Sequence, residues 1–431
     1  MTKLLLNAEL IDSPLKAVCA LVALAGVGAL LIWAPRRILR IVIISAGAGI
    51  VMYVVARILS AAEVFDGPLP VGASRWAALA VAGMAAGVVG IATAPWGRRL
   101  VGAVVVIASF LTGFLGVNSS YGITHTLAAV WGVQALDHAE LPSIGDGGKE
   151  GGLTWQSWTP PADMPSMGTV SALTDDSRIP SGDFKARDAS LYLPPAALVP
   201  DPPALPLIVF MMGQPGSPDP TSLAKALNDY AQSHNGLAPI AIVADQTASG
   251  DWDPSCADSE KYGPVATYIN ELVPEWATSH LNVTTDHRLW VLGGFSNGGS
   301  CAAKWVAEKP DVWGNLLDVS GNEFPGSEHP DETIADVFGG DKAAFEAATP
   351  AAIMSRTPAS AYAGHTAIFT WGEMDGTFGP GQQRNAIAAA AAGFAAVKYV
   401  VPGAGHDGPA LDGALAYAIP LLGPVLGLAP S

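Results

Sequence analysis

The sequence predicts an α-helical membrane bundle of four spans followed by an α/β domain with a mostly parallel sheet. Three observations carry this. Half of the 431 residues are hydrophobic and only 14% are charged, against roughly 25% charged in an average soluble chain. The charge is also split: residues 1–118 hold nine cations and four anions, net +5, while 119–431 hold 13 cations and 34 anions, net −21. Finally, strand-like and helix-like segments alternate through 153–431, as in an α/β fold.

The membrane part reads as four apolar runs, at 17–34, 41–56, 76–94 and 100–117. Each is near the ~17–25 residues that cross a hydrocarbon core. The second is short, but Arg40 and Arg57 at its ends can snorkel to the interfaces. Gly83 and Gly87 form a small-xxx-small pair suited to close helix approach. Four such runs in succession are not a cleaved signal peptide. Arg36, Arg37 and Arg40 fill one short loop and Arg98 and Arg99 another, whereas 118–148 has no Lys or Arg. The positive-inside rule puts 35–40 and 95–99 in the cytoplasm and both termini outside. The expected domains are therefore a transmembrane helical domain (1–118), an interfacial helix and linker (119–152), and an extracytoplasmic domain (153–431). The interfacial helix is expected over 121–136 and the Gly-rich linker over 142–152.

A net charge of −16 argues against nucleic-acid binding, which needs a cationic footprint. Disordered, collagen-like and disulfide-scaffold classes are excluded by the apolar content and three cysteines.

In the outer domain, strands are expected at 189–193, 207–212, 240–244, 288–293, 316–320, 367–371 and 397–401. Helices are expected at 222–234, 262–279, 300–308 and 386–394. The strand at 288–293 runs into Gly294-Phe295-Ser296-Asn297-Gly298, which fits G-x-S-x-G, and a helix follows. That context is what a nucleophile elbow requires, because the sharp turn needs small flanking residues. Serine is a weak nucleophile without a base. In this fold the chain order is serine, acid, histidine. His406, in the loop after the last strand, is the candidate base. Asp375, in the loop after 367–371, is the candidate acid, with Glu373 as the alternative. The oxyanion donors are expected to be the backbone N–H groups of Asn297 and Gln214, with Gly213 the alternative to Gln214. No metal or organic cofactor is implied.

These residues resemble the α/β-hydrolase superfamily, and within it the esterase group that contains esterase D, the S-formylglutathione hydrolases and the antigen 85 mycolyltransferases. The resemblance covers most of 165–425. Its motifs are Ser181-Gly182-Asp183-Phe184-Lys185-Ala186-Arg187, Leu191-Tyr192-Leu193-Pro194-Pro195, Tyr268-Ile269-Asn270-Glu271-Leu272-Val273-Pro274, Arg288 and the 294–299 elbow. A multi-span N-terminus on such a domain looks like actinobacterial envelope esterases. Two positions depart from the group: Met212-Gly213-Gln214 stands where many esterases have His-Gly-Gly, and Asn297 where antigen 85 proteins have Met.

Cys19 falls in the first span, Cys256 and Cys301 in the outer domain. Cys301 opens the helix behind Ser296 and Cys256 lies in a loop bordering the same site, so a Cys256–Cys301 disulfide is expected in an oxidising compartment; two buried thiols are the alternative. The cysteines lack zinc-site spacing. Gly403-Ala404-Gly405-His406-Asp407-Gly408 matches G-x-G-x-x-G by coincidence, since no βαβ unit can follow it before Ser431. Trp252, Asp253, Asn322 and Phe324 lie on loops at the ligand-binding edge of a parallel sheet and are candidate substrate contacts.

The sequence is thus best read as a membrane-anchored serine esterase acting on a lipid or cell-envelope ester, for example aminoacyl-phosphatidylglycerol. An acyltransferase with the same triad differs only in its acceptor. A degenerate, non-catalytic membrane scaffold is the reading from another class. A transporter is disfavoured because the spans carry no mid-membrane ionisable residue. Oligomeric state is left open.

Overall fold

The computed structural model describes residues 5–11, 13–33, 35–62, 69–70, 72–93, 95–131, 135–142, 154–248 and 252–430. The chain forms two compact units: residues 1–131 with 405–409, and residues 132–404 with 410–431.

The first unit holds four long helices, α1 (Leu15–Trp33), α2 (Ile38–Ala61), α3 (Ala73–Thr93) and α4 (Trp96–Tyr121). Each is long and apolar enough to cross a membrane. The short second run expected from hydropathy becomes a 24-residue helix, about 36 Å long at 1.5 Å per residue, because Arg40 and Arg57 are absorbed into its ends. α3 and α4 touch backbone to backbone. A Cβ at Gly87 would lie 2.6 Å from the Gly102 carbonyl oxygen, and one at Gly102 would lie 2.7 Å from the Gly87 carbonyl oxygen. Small residues drive such pairing in lipid, where apolar burial no longer distinguishes helix from solvent.

The expected interfacial helix over 121–136 is not found as one element. Gly122 adopts φ 67° and ends α4, since the left-handed conformation stops the helical ladder. After it, among the described residues to 136, Leu127–Val130 is the helical segment, with the Thr126 hydroxyl accepting from the Ala129 N–H. Beyond Pro142, the expected linker lies outside the described residues.

The second unit is built on an eight-stranded sheet. Its strands are β1 (Thr169–Ala172), β2 (Ser190–Leu193), β3 (Leu207–Met211), β4 (Ile240–Ala244), β5 (Val291–Phe295), β6 (Asn315–Val319), β7 (Thr366–Gly372) and β8 (Ala395–Val401). The order is β1-β2-β4-β3-β5-β6-β7-β8. β2 is antiparallel to β1 and β4, and the pairs from β4 through β8 are parallel. Every residue of β3 through β6 is buried, as expected of parallel strands covered on both faces. The covering helices include α5 (Thr221–Ser233), α6 (Val273–His280), α7 (Asn297–Glu308), α8 (Gly379–Ala392) and α9 (Gly408–Val425).

Several elements depart from expectation. The strand expected at 288–293 starts at Val291, because Asp286 caps a 3-10 turn over His287–Leu289 by accepting from the Arg288 N–H. The helix expected at 262–279 begins only at Val265, since Gly263 sits at φ 83°, and it contains a π turn over Tyr268–Leu272. Between β6 and β7 the chain adds three short helices, Pro330–Asp336, Lys342–Ala347 and Pro350–Arg356.

Candidate active site

Ser296 occupies the turn between β5 and α7 with φ 55° and ψ −122°. A non-glycine residue held there costs about 1–3 kcal/mol, so the surroundings must enforce it. They do. The Ser296 N–H donates to the Val319 carbonyl at 2.9 Å, and its own carbonyl accepts from the Ser300 N–H at 3.1 Å. A side chain at Gly294 would collide with the Gly298 carbonyl, and one at Gly298 with the Met211 carbonyl. The turn therefore closes only with glycine at both positions. The parallel sheet in this strand order, with a strained serine on the turn after β5, decides the architecture. The second unit has an α/β-hydrolase fold.

In this α/β domain, the loop after β3 lies directly against the nucleophile candidate: a Cβ on Gly213 would be 3.1 Å from the Ser296 Cβ. Gln214 follows, joined to Pro215 by a cis peptide bond. Two side chains not singled out from the sequence as part of the site hold this loop. Gln246, just past β4, donates through Nε2 to the Met212 carbonyl at 2.6 Å and to Asn297 Oδ1 at 3.0 Å. It thereby links the two segments expected to supply oxyanion donors. Arg187 donates to the Gly216 carbonyl at 2.6 Å and forks onto buried Asp245, with Nε at 3.1 Å from Oδ2 and Nη2 at 2.8 Å from Oδ1. Burial alone would raise the pKa of Asp245, but Arg187's hydrogen bonds and charge overcome it and hold the carboxyl below its ordinary range. Arg187 ends the Ser181–Arg187 motif, which was its only signal in the sequence.

Asp375 is buried in the turn after β7, and its Oδ1 accepts from the Phe378 N–H at 3.0 Å. Glu373, the alternative acid, accepts from the Gly403 N–H at 2.9 Å, so it braces the loop after β8. The Met374 N–H also donates to the Ala404 carbonyl at 2.8 Å. The Asp375 turn is thus stitched to the segment leading into His406. His406 lies in residues 405–409, which group with the first unit. There Asp407 accepts from the Gly405 N–H at 3.2 Å.

Cys256 and Cys301 form a disulfide, joining the loop after β4 to the N-terminal part of α7. On that loop, Asp253 Oδ1 accepts from Asn297 Nδ2 at 3.1 Å and from the Ser255 N–H at 2.8 Å. Burial pushes the Asp253 carboxyl above its ordinary range, against those two hydrogen bonds. The four candidate substrate contacts separate by environment. Asp253 touches the elbow, and Trp252 is 43% exposed and meets the Tyr262 ring in a T-shaped contact. Asn322 is buried and donates to Glu328 at 2.6 Å, while Phe324 packs on Phe345. The latter two have packing roles of their own.

Asp318 on β6 is fully buried beside the elbow. Its Oδ1 accepts from the Gly321 N–H at 3.1 Å and its Oδ2 from Gln382 Nε2 at 2.9 Å. A Cβ on Gly299 would collide with Asp318 Oδ1. Desolvation raises its pKa to about 7 despite those donors.

No protein-family model matches the chain. An uncharacterised protein of Corynebacterium glutamicum is 34% identical over 213 residues, 48% of this chain and 49% of its own length. The match spans about half the length of that curated relative. Among solved structures, a ferulic acid esterase is 14% identical with a TM-score of 0.49, covering 60% of this chain and 99% of the other. An S-formylglutathione hydrolase from Agrobacterium tumefaciens is 14% identical with a TM-score of 0.49, covering 61% and 98%. A fluorophosphonate-binding serine hydrolase of Staphylococcus aureus is 15% identical with a TM-score of 0.47, covering 59% and 98%. Likenesses this distant leave the chemistry to be read from the site.

Proposed function

We propose that the chain is a membrane-anchored serine esterase of lipid or cell-envelope carboxylic esters. The observation that carries this is Ser296 itself, held at φ 55° on the turn between β5 and α7, with the Gly213 loop pressed against it. In this reading Ser296 Oγ attacks the ester carbonyl carbon while His406 takes the hydroxyl proton. The backbone N–H groups of Asn297 and Gln214 stabilise the oxyanion. Collapse breaks the bond to the alcohol, which leaves with the proton from His406. Water then attacks the acyl-enzyme by the same proton route in reverse. Asp375 fixes the imidazole tautomer and stabilises the imidazolium. The Cys256–Cys301 disulfide supports an extracytoplasmic site, because such bonds persist in oxidising compartments.

Labelling full-length protein in detergent with a fluorophosphonate, beside Ser296→Ala, tests the nucleophile. Covalent labelling of the parent and none of the variant is expected. Equal labelling of both, or of neither when both are folded, overturns the reading.

Anchoring beside a bilayer favours a membrane ester. Aminoacyl-phosphatidylglycerol is the candidate we favour, since its ammonium group suits a domain, 153–431, with 12 cations and 30 anions, net −18. An aminoacyl ester should then show a higher kcat/KM than a neutral ester of equal size, and the advantage should shrink with salt. Equal values at low ionic strength would remove the aminoacyl assignment and leave the esterase reading standing.

A further inference from the structure

The first unit contains a cavity of about 470 Å³ lined by Leu30, Trp33, Arg36, Arg37, Arg98 and Ile41 among others. It lies where α1 ends, α2 begins, α3 ends and α4 begins. This is the opposite end of α4 from Tyr121, about 39 Å away for a helix of 26 residues. The cavity has two chemical faces. Its floor is apolar, with Leu30 and Ile41 only 4% and 3% exposed. Its rim is cationic. Arg37 donates to the Thr93 carbonyl, and Arg98 donates to the Trp33 carbonyl and stacks 5.1 Å from the Trp33 ring. Those contacts fix two guanidiniums at the mouth, and each uses one of its five N–H donors there.

No carboxylate occurs between Asp12 and Glu63 or between Asp66 and Asp137. The three arginines therefore have no anionic side chain on either helical hairpin to balance them. Orientation signals alone require cations in loops, but they do not require a cavity of ligand size between the helices with those cations around its mouth. Ligand sites commonly measure ~300–1,000 Å³. Guanidinium forks match phosphate oxygens in pairs. Basic pockets between membrane helices hold anionic headgroups.

We propose that this cavity binds the phosphodiester headgroup of an anionic phospholipid. Its phosphate sits among Arg36, Arg37 and Arg98, and its glycerol carbons lie over Leu30 and Ile41. The site is separate from the hydrolase domain and would anchor the bundle to one leaflet.

Native mass spectrometry of the full chain in neutral detergent tests this, with phosphatidylglycerol and phosphatidylcholine offered at equal concentration. The parent should retain phosphatidylglycerol about tenfold better. Arg36→Gln/Arg98→Gln should abolish that preference. Arg57→Gln/Arg75→Gln, which removes as much charge from the other end of the bundle, should keep it. The proposal is overturned if the parent shows no preference, or if the Arg36/Arg98 variant retains it. It is also overturned if millimolar inorganic phosphate alone raises the melting temperature as much as phosphatidylglycerol does, because the ligand would then be free phosphate. Should the double variant fail to fold, the parent's lipid ratio and the phosphate arm still decide.

Discussion

Asp318 is the residue whose chemistry is least expected from its surroundings. It sits fully buried beside the elbow, with a pKa raised from 3.8 to about 7. The native state thus holds this proton more tightly than the unfolded chain does. Its contribution to stability is present in full below pH ~4, falls as the pH rises toward 7, and is level above that. Asp318→Asn removes this dependence. Melting curves from pH 4 to 8 should show the variant gaining on the parent as the pH rises through that window, and parallel curves would contradict the assignment. The same neighbourhood shows what single residues disclose in advance. Ser296 stood out because its glycine neighbours are a local, sterically required pattern. Arg187 with Asp245 and Gln246 with Asn297 did not, because each pair spans more than 50 positions, 58 and 51 respectively. Which loops converge is decided by the sheet, and no local spacing encodes it.

At the scale of elements, legibility followed burial. β3 and β4 were readable as short, uniformly apolar runs, since both faces of a parallel strand are covered. β1 was not, because its four residues are only partly buried and gain their order from pairing with β2. The short helices over 330–356 have six or seven residues each, too few for a 3.6-residue period to show. The disulfide acts at this scale, tying the loop after β4 to α7 across 45 positions. Closing a loop of that size limits the unfolded chain by about 4 kcal/mol. Cys256→Ser/Cys301→Ser should therefore melt well below the parent. On the proposed esterase reading, its turnover should also fall at a temperature where both proteins are folded, because Asp253 on the freed loop braces Asn297. A double variant with unchanged melting temperature and turnover would show the bond to be incidental.

For the molecule as a whole, charge and hydropathy divide near residue 118, while the two compact units are 1–131 with 405–409 and 132–404 with 410–431. What the composition did not announce is that residues 405–409, which include His406, group with the helical unit although they follow the last strand. Which residues a loop packs against is set by the path of the chain in three dimensions, which hydropathy does not record. The helical unit has its own logic in the reciprocal approach of Gly87 and Gly102, where each carbonyl fills the space a partner's side chain would take. Every amino acid one base change from a glycine codon carries a Cβ. At these two positions no missense mutation is small enough to pass unnoticed, and the seam can change only by two helices altering together. A lineage that keeps this bundle is thereby held to its pairing of α3 with α4, even while the outward-facing surface of the same helices is free to drift.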